Sequence, residues 1–122
     1  MMTSTAPPLR DMSPAQAIAE IKRDLAIKST DLAQALGVDT RTLDRWEKGQ
    51  VYPQQEGRER LGALLDLAQN VRAFFATAED AQGWLRDQNR YLGGLTPLEA
   101  IRAGRTDRAR AALGVMQWGI GI

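Results

Sequence analysis

Apolar residues recur at intervals of three or four along most of the chain, and this spacing predicts amphipathic helices. The alternating runs of β-branched residues that are typical of strands are missing. We therefore expect an all-α fold. A chain of 122 residues can bury one modest core, so it should form one compact unit or two lobes that share a helix.

Helix start signals set the order of the predicted elements. Ser13, Pro14 and Gln16 have the spacing of a capping box with proline at the first helical position, so a first helix should begin there. A longer helical pattern opens after Pro53 and is long enough to join two lobes. The apolar residues of this long pattern are Leu61, Leu64, Leu65, Ala68, Val71 and Phe75.

Further helices are expected in the second half of the chain. Thr77 is a suitable cap for one of them. Thr96, Pro97 and Glu99 repeat the capping signature, and the helix that they start should end at Gly104. A last helix should begin near Thr106. The helix capped by Thr77 should bury Ala81, Trp84 and Leu85. The last helix should bury Ala109, Ala112, Leu113 and Met116.

The most specific pattern lies between Ser29 and Trp46. Two helices that cross closely need apolar residues on their inner faces, a small residue where they approach and a glycine at the corner. The chain supplies all of these at the spacing of a helix-turn-helix: Leu32, Ala33, Leu36, Gly37, Val38, Leu43 and Trp46. Agreement over seven positions predicts this motif far more specifically than a single glycine would.

The second helix of this motif should carry polar residues on its outer face, where a major groove would lie. Arg41 and Arg45 are four residues apart, and an arginine fork matches O6 and N7 of guanine. Thr40 can contact a thymine methyl group. Asp44 can accept from cytosine or hold Arg45 in position.

Phosphate contacts, which position a protein without specifying sequence, suit Lys48, Ser29 and Gln34 better. The predicted DNA-binding residues together are Ser29, Gln34, Asp39, Thr40, Arg41, Asp44, Arg45 and Lys48. The alternative is a solvated helix face whose charges pair with one another.

Composition excludes several functions. The chain has no cysteine and no histidine, which removes disulfides, imidazole bases and the usual zinc ligands. There is also no glycine-rich phosphate loop. We therefore expect no enzymatic activity, no catalytic residue, no metal site and no cofactor.

The net charge of +1 is spread evenly along the chain. Residues 1–72 hold ten basic and ten acidic side chains, and the remainder holds six basic and five acidic ones. DNA binding would thus depend on local arrangement and on several copies acting together. No apolar run suits a membrane span and no secretion signal is evident, so we expect a cytoplasmic protein.

From Ala15 to Ile120 the sequence resembles the Xre/MbcA/ParS antitoxins. The helix-turn-helix positions and the following RWEKGQVYP carry the likeness in the first half. In the second half it is carried by Trp84-Leu85, Asn89, Leu92-Gly93-Gly94, Thr96-Pro97 and the short helix up to Gly104. Gln88 departs from the pattern, since the family usually has a proline there. The resemblance implies a flexible arm (1–12), a DNA-binding helix-turn-helix domain (13–70) and a helical toxin-binding domain with an apolar tail (71–122).

The resemblance further implies an antitoxin that blocks a RES-domain, NAD-degrading toxin by steric occlusion and represses its own operon. Its partners would be this toxin, operator DNA and further copies of the chain, as a homodimer or a larger complex with toxin. Phe74, Phe75 and Leu67 are candidates for a dimer surface. The implied toxin-binding residues are Trp84, Tyr91, Leu92, Gly93, Gly94, Thr96, Pro97, Met116, Trp118, Ile120 and Ile122.

Several alternatives stay open at this point. The chain could be a free-standing dimeric repressor without a toxin, or an interaction protein whose helix-turn-helix no longer binds DNA. The tail could fold back on the chain's own helices or fray. Leu-Gly-Gly-Leu-Thr-Pro also makes sense as a turn and a helix cap. A strip of Arg102, Arg105, Arg108 and Arg110 could be a solvated face, or could contact phosphates or acidic toxin residues.

Overall fold

A computed structural model of the chain describes residues 12–119. Within these residues there are seven α-helices, one short 3₁₀-helix and no strand, so the predicted all-α fold is confirmed. The helices are α1 (Pro14–Leu25), α2 (Ser29–Leu36), α3 (Thr40–Glu47), α4 (Gln55–Phe74), α5 (Ala78–Arg86), the 3₁₀-helix (Arg90–Leu92), α6 (Pro97–Arg102) and α7 (Thr106–Gln117). The predicted arm, residues 1–12, lies outside the described residues except for Met12, whose side chain packs against the core.

The capping signals work as the sequence predicts. The backbone N–H of Gln16 donates to Ser13 Oγ at 3.1 Å, and the backbone N–H of Ser13 donates to Gln16 Oε1 at 3.0 Å. Thr96 and Glu99 form the same reciprocal pair at the start of α6, at 3.0 and 2.9 Å. Because each box satisfies two backbone donors that the first turn leaves open, both helix starts are fixed locally.

The long helix α4 is shared by the two halves of the chain. It packs against α1 on one side and against α7 on another, while α6 packs against α2. The buried apolar side chains form one cluster that runs from Ala17 to Leu113. The predicted division at residues 70 and 71 therefore falls inside a continuous helix, and the helix-turn-helix and the second half share a core.

Helix α5 covers the end of α1. Gln82 Nε2 donates to the carbonyl oxygen of Leu25 at 3.2 Å, and Arg86 Nη2 donates to that of Ala26 at 3.2 Å. Carbonyl groups at a helix C-terminus have no partner within the helix, so side chains from the second half satisfy them here. This contact fixes the corner between α1 and α2, which holds the helix-turn-helix in place.

Two expectations about burial are wrong, those for Met116 and Leu67. Met116 is 40% exposed, because it lies in the last turn of α7 and that turn extends past Leu113, the final member of the core. Leu67 is fully buried and therefore is not available as a dimer surface. Phe75 lies just beyond α4 and is half-buried, with its ring 5.9 Å from that of Trp84.

Candidate DNA-binding and partner-binding surfaces

The corner between α2 and α3 has the geometry that the helix-turn-helix pattern predicts. Gly37 ends α2 with φ of +71°, a left-handed conformation that glycine adopts without strain. Val38, which is half-buried, donates its backbone N–H to the carbonyl oxygen of Ala33 at 3.0 Å. The remaining inner positions are all buried: Leu32, Ala33, Leu36, Leu43 and Trp46.

Arg60 on α4 stabilises this corner through a hydrogen bond to its backbone. This role of Arg60 was not predicted from the sequence. Its Nη1 donates to the carbonyl oxygen of Leu36 at 2.9 Å, while Nη2 lies 2.8 Å from a carboxylate oxygen of Glu56. The guanidinium lies so close to Gly37 that a Cβ at that glycine would approach Nη1 to 2.5 Å. Glycine is thus required at the corner for its backbone conformation, and any larger residue would also have to displace the end of the Arg60 side chain.

Gly57 is the second contributor that the sequence analysis missed. It lies in the first turn of α4, and a Cβ there would come within 2.9 Å of the Trp46 ring. The absence of a side chain lets the indole pack against the helix backbone. A glycine inside a helical pattern lowers helix propensity, and this cost is the signal that could have found it.

Arg41 and Arg45 project from the outer face of α3. Both are exposed, as are Thr40 and Gln34. Within residues 12–119 neither arginine forms a side-chain hydrogen bond or ion pair, so both guanidinium groups are free to bind another molecule. The alternative of a self-paired face is therefore not supported for these two residues.

The other charged residues of α3 are engaged within the chain. Lys48 Nζ lies 3.0 Å from Asp44 Oδ2, so Asp44 pairs with Lys48 and does not hold Arg45. Asp39 is the cap of α3, and its Oδ1 accepts from the backbone N–H of Thr42 at 2.8 Å. This hydrogen bond lowers the pKa of Asp39, and the charges of Arg41 and Arg45 lower it further.

Ser29 is half-buried between α1 and α3. Lys22 Nζ donates to its hydroxyl at 2.9 Å and also lies 3.0 Å from Glu47 Oε2. These contacts tie α1 to both helices of the motif. A phosphate contact by Ser29 would therefore share the hydroxyl with Lys22.

The residues implied for toxin binding divide into buried and exposed groups. Trp84, Leu92 and Pro97 are buried within the chain's own core, so their side chains are not on the described surface. Helical and turn geometry directs them inward, where their role is to support the surface above them. Thr96 is half-buried as a cap, and Gly93 and Gly94 form an exposed turn with φ of +69° and +94°.

The exposed group consists of large apolar or aromatic side chains. Tyr91 is 49% exposed, Leu95 50%, Met116 40% and Trp118 82%. Leu95 was missed by the sequence analysis because it resembles an ordinary turn residue. Ile120 and Ile122 lie outside the described residues.

A closed loop holds Tyr91 and Leu95 in place. The backbone N–H of Asn89 donates to the carbonyl oxygen of Leu95 at 2.9 Å, and that of Gly94 donates to the carbonyl oxygen of Asn89 at 3.0 Å. The Asn89 side chain accepts from the backbone N–H of Tyr91 at 2.9 Å. The 3₁₀-helix within this loop packs against α7, so the loop is anchored to the core.

Most of the arginine strip is paired within the chain. Arg102 Nε lies 2.7 Å from Asp31, Arg105 Nη2 lies 3.0 Å from Asp107 and Arg110 Nε lies 3.2 Å from Asp66. The hydrogen bond from Arg105 lowers the pKa of Asp107. These pairs favour a structural role for the strip.

Two other features were sought in the described part of the chain. Residues 12–119 contain no group of three or more carboxylates placed to hold a metal ion. None of the helices in this range is both long and apolar enough to span a bilayer.

Comparisons with known proteins fit this architecture. No family model matches the chain. Over 96 residues the chain is 27% identical to the mycobacterial cidal antitoxin MbcA of Mycobacterium bovis and of Mycobacterium tuberculosis, covering 79% of this chain and 84% of each relative. A chain of the M. tuberculosis MbcT-MbcA toxin-antitoxin complex shares the fold, with a TM-score of 0.69 and 24% identity over 88% of this chain and 96% of that one.

In sequence and in fold the chain is thus similar to an antitoxin of a toxin–antitoxin system. The sequence relatives are MbcA antitoxins, and the resemblance predicted from the sequence is confirmed.

Proposed function

We propose that the chain neutralises a RES-domain, NAD-degrading toxin by covering its active site, and that it represses its own operon by binding operator DNA. The observation that carries this proposal is the exposure of Trp118, 82% of which faces solvent at the end of α7. Because the Trp118 side chain makes few contacts within its own chain, binding in a partner's pocket would cost little stability. It would contribute strongly to affinity, since buried tryptophans are frequent interface anchors.

Other exposed apolar residues support a partner-binding surface in the second half of the chain. Met116, two residues before Trp118, is exposed, and the closed loop holds the exposed Tyr91 and Leu95. Large contiguous apolar patches mark interaction sites, and in this proposal these side chains contact the partner together. The occlusion would be steric and would require no cofactor.

The comparisons support a toxin as the partner in this proposal. MbcA is named an antitoxin, and the related fold comes from its complex with the toxin MbcT. By this likeness and by the family resemblance in the sequence, we assign a RES-domain toxin as the partner here. Trp118 and Met116, followed by Ile120 and Ile122, would reach toward its active-site cleft.

Operator binding is supported by the free guanidinium groups of Arg41 and Arg45 on the outer face of α3. Their arrangement suits two base contacts in one major groove, with Gln34 and Lys48 placed for phosphates. Because the motif carries little net charge, one copy would bind weakly and a dimer or a larger toxin complex would bind more tightly. Such a regulator would act in the cytoplasm, where its operator lies.

Co-expression with the protein encoded next to this chain's gene tests the proposal. We expect the two proteins to co-elute, the toxicity of the neighbour to disappear, and the complex to shift DNA from upstream of the operon. A variant with Arg41→Ala and Arg45→Ala should retain the first two properties and lose the third.

The outcomes separate the competing functions. A DNA shift without co-elution would identify a free-standing repressor. Co-elution and protection without any DNA shift would identify an interaction protein whose helix-turn-helix does not bind operator. Absence of all three results would reject the proposal.

A further inference from the structure

The last turn of α7 is clamped to α4 through Gln117, the residue before Trp118. Gln117 Nε2 donates to Asn70 Oδ1 at 3.5 Å, and Gln117 Oε1 accepts from Arg110 Nη1 at 3.3 Å. Arg110 also donates through Nε to Asp66 Oδ2 at 3.2 Å and through Nη2 to Asn70 Oδ1 at 3.4 Å. One guanidinium thus joins three side chains at the root of the tail.

The scaffold of this clamp is itself held in place. Asn70 Nδ2 donates to the backbone carbonyl oxygen of Asp66, one turn earlier in α4, at 2.8 Å. The planar fork of Arg110 is suited to several acceptors at once, which a lysine could not match. Two helices therefore define the position of Gln117, although each bond alone is weak and partly solvated.

The backbone beyond Gln117 continues this order. The backbone N–H of Trp118 donates to the carbonyl oxygen of Gly114 at 3.0 Å. The backbone N–H of Gly119 donates to the carbonyl oxygen of Met116, also at 3.0 Å. The direction in which Trp118 leaves α7 consequently depends on whether the last turn stays formed. Last turns of helices commonly fray, because their carbonyl groups lack partners within the helix.

We propose that Arg110 and Asn70 are positioning residues for toxin binding: they keep the last turn of α7 formed and so present Trp118 in one direction. The inference rests on the proposed function, in which Trp118 contacts the toxin. Ordering a side chain before binding lowers the entropy that association must lose. The clamp therefore acts on affinity without touching the toxin.

A measurement without toxin tests the clamp directly. The ¹⁵N heteronuclear NOE of the Trp118 indole and backbone N–H should fall in Arg110→Ala and in Asn70→Ala, while those of Trp46 and Trp84 stay unchanged. Arg108→Ala is the matched control, since Arg108 is exposed on the same helix and makes no side-chain hydrogen bond within residues 12–119. Unchanged Trp118 dynamics in both clamp variants would overturn the inference, whatever the partner is.

A double-mutant cycle with the toxin that co-elutes with this chain tests the consequence. Arg110→Ala and Asn70→Ala should each speed dissociation by about three- to tenfold. In a Trp118→Ala background the same changes should leave the dissociation rate almost unaltered, because the side chain that the clamp orients is absent. Arg108→Ala should leave dissociation unchanged in both backgrounds.

The possible failures are distinguishable. If Trp118→Ala weakens binding but Arg110→Ala does not, the clamp is rejected and the proposed function stands. A full effect of Arg110→Ala in the Trp118→Ala background would mean a direct contact with toxin and would also reject positioning. If Trp118→Ala leaves toxin binding unchanged, the proposed anchor fails together with this inference.

Discussion

Asp31 on α2 and Arg102 on α6 form an ion pair across the two halves of the chain, with Oδ1 and Nε 2.7 Å apart. The Asp31 side chain is only 12% exposed, whereas that of Arg102 is 40% exposed. Asp31 Oδ2 also accepts from the backbone N–H of Lys28 at 3.4 Å, at the start of α2. The first helix of the helix-turn-helix is thereby tied to the half of the chain to which we assign toxin binding.

Removing the arginine of this pair should destabilise the fold. Arg102→Ala leaves a nearly buried carboxylate without its cation, and we expect a loss of about 1–3 kcal/mol in the free energy of unfolding. Urea denaturation measures this loss. Arg105→Ala is the control, since its pair with Asp107 is more than half exposed on both sides and should contribute much less to stability. Equal effects of the two substitutions would contradict the assignment.

Two glycines of α4 should respond oppositely to alanine. In Gly57→Ala the new Cβ would meet the buried Trp46 ring at 2.9 Å and Pro53 at 3.2 Å, so we expect a net loss of about 1–2 kcal/mol in stability. A Cβ at Gly62 would meet nothing beyond its own helix backbone within 4 Å, and Gly62→Ala should stabilise the helix by about 0.5–1 kcal/mol. Thermal unfolding of both variants checks the pair. A stabilising Gly57→Ala would show that the indole does not depend on this gap.

Arg45 should contribute to base preference if α3 lies in the major groove. Arg45→Ala is expected to cost about 1–3 kcal/mol on the operator and to relax preference at one base pair. Lys48→Ala should weaken binding to all sequences alike, since a phosphate contact carries no base information. Binding to operator and to scrambled DNA at several salt concentrations separates these effects. Unchanged preference in the Arg45 variant would remove it from base recognition.

Trp118 should contribute to toxin affinity and not to the stability of the fold. Trp118→Ala is expected to weaken toxin binding by about 2 kcal/mol or more, because buried aromatic anchors dominate interfaces. Its effect on the free energy of unfolding should stay within about 0.5 kcal/mol, since the side chain is already exposed. Calorimetric binding and denaturation measure the two quantities. Unaltered affinity for the toxin would exclude Trp118 as an anchor.

Asp39 should make the stability of the fold depend on pH in the acid range. Its pKa is lowered in the folded state, mainly by the hydrogen bond from the Thr42 N–H, so below its ordinary pKa of about 3.9 the unfolded chain binds more protons. The stabilisation is present above that value and is lost as the pH falls through the lowered pKa. Asp39→Asn keeps a capping oxygen but does not titrate. Denaturation across this range should show less acid destabilisation in the variant, and parallel profiles would contradict the assignment.

Local signals in the sequence were enough to predict much of this protein. Capping boxes at Ser13 and Thr96, the corner at Gly37 and the inner residues of α2 and α3 depend on neighbours within a few positions. For the same reason the outward position of Arg41 and Arg45 followed from helical periodicity. Similarity to the MbcA antitoxins was also carried by short stretches of this kind.

Tertiary structure decided which of the predicted partner-binding residues are exposed and which are buried beneath them. Trp84, Leu92 and Pro97 fit the toxin-binding pattern, yet the packing of α5, the 3₁₀-helix and α6 buries them. The links from Arg102 to Asp31 and from Arg60 to Leu36 join residues 71 and 24 positions apart. Periodicity describes one helix at a time, so it predicts the inner face of each helix but not which side chains meet when several helices share one core.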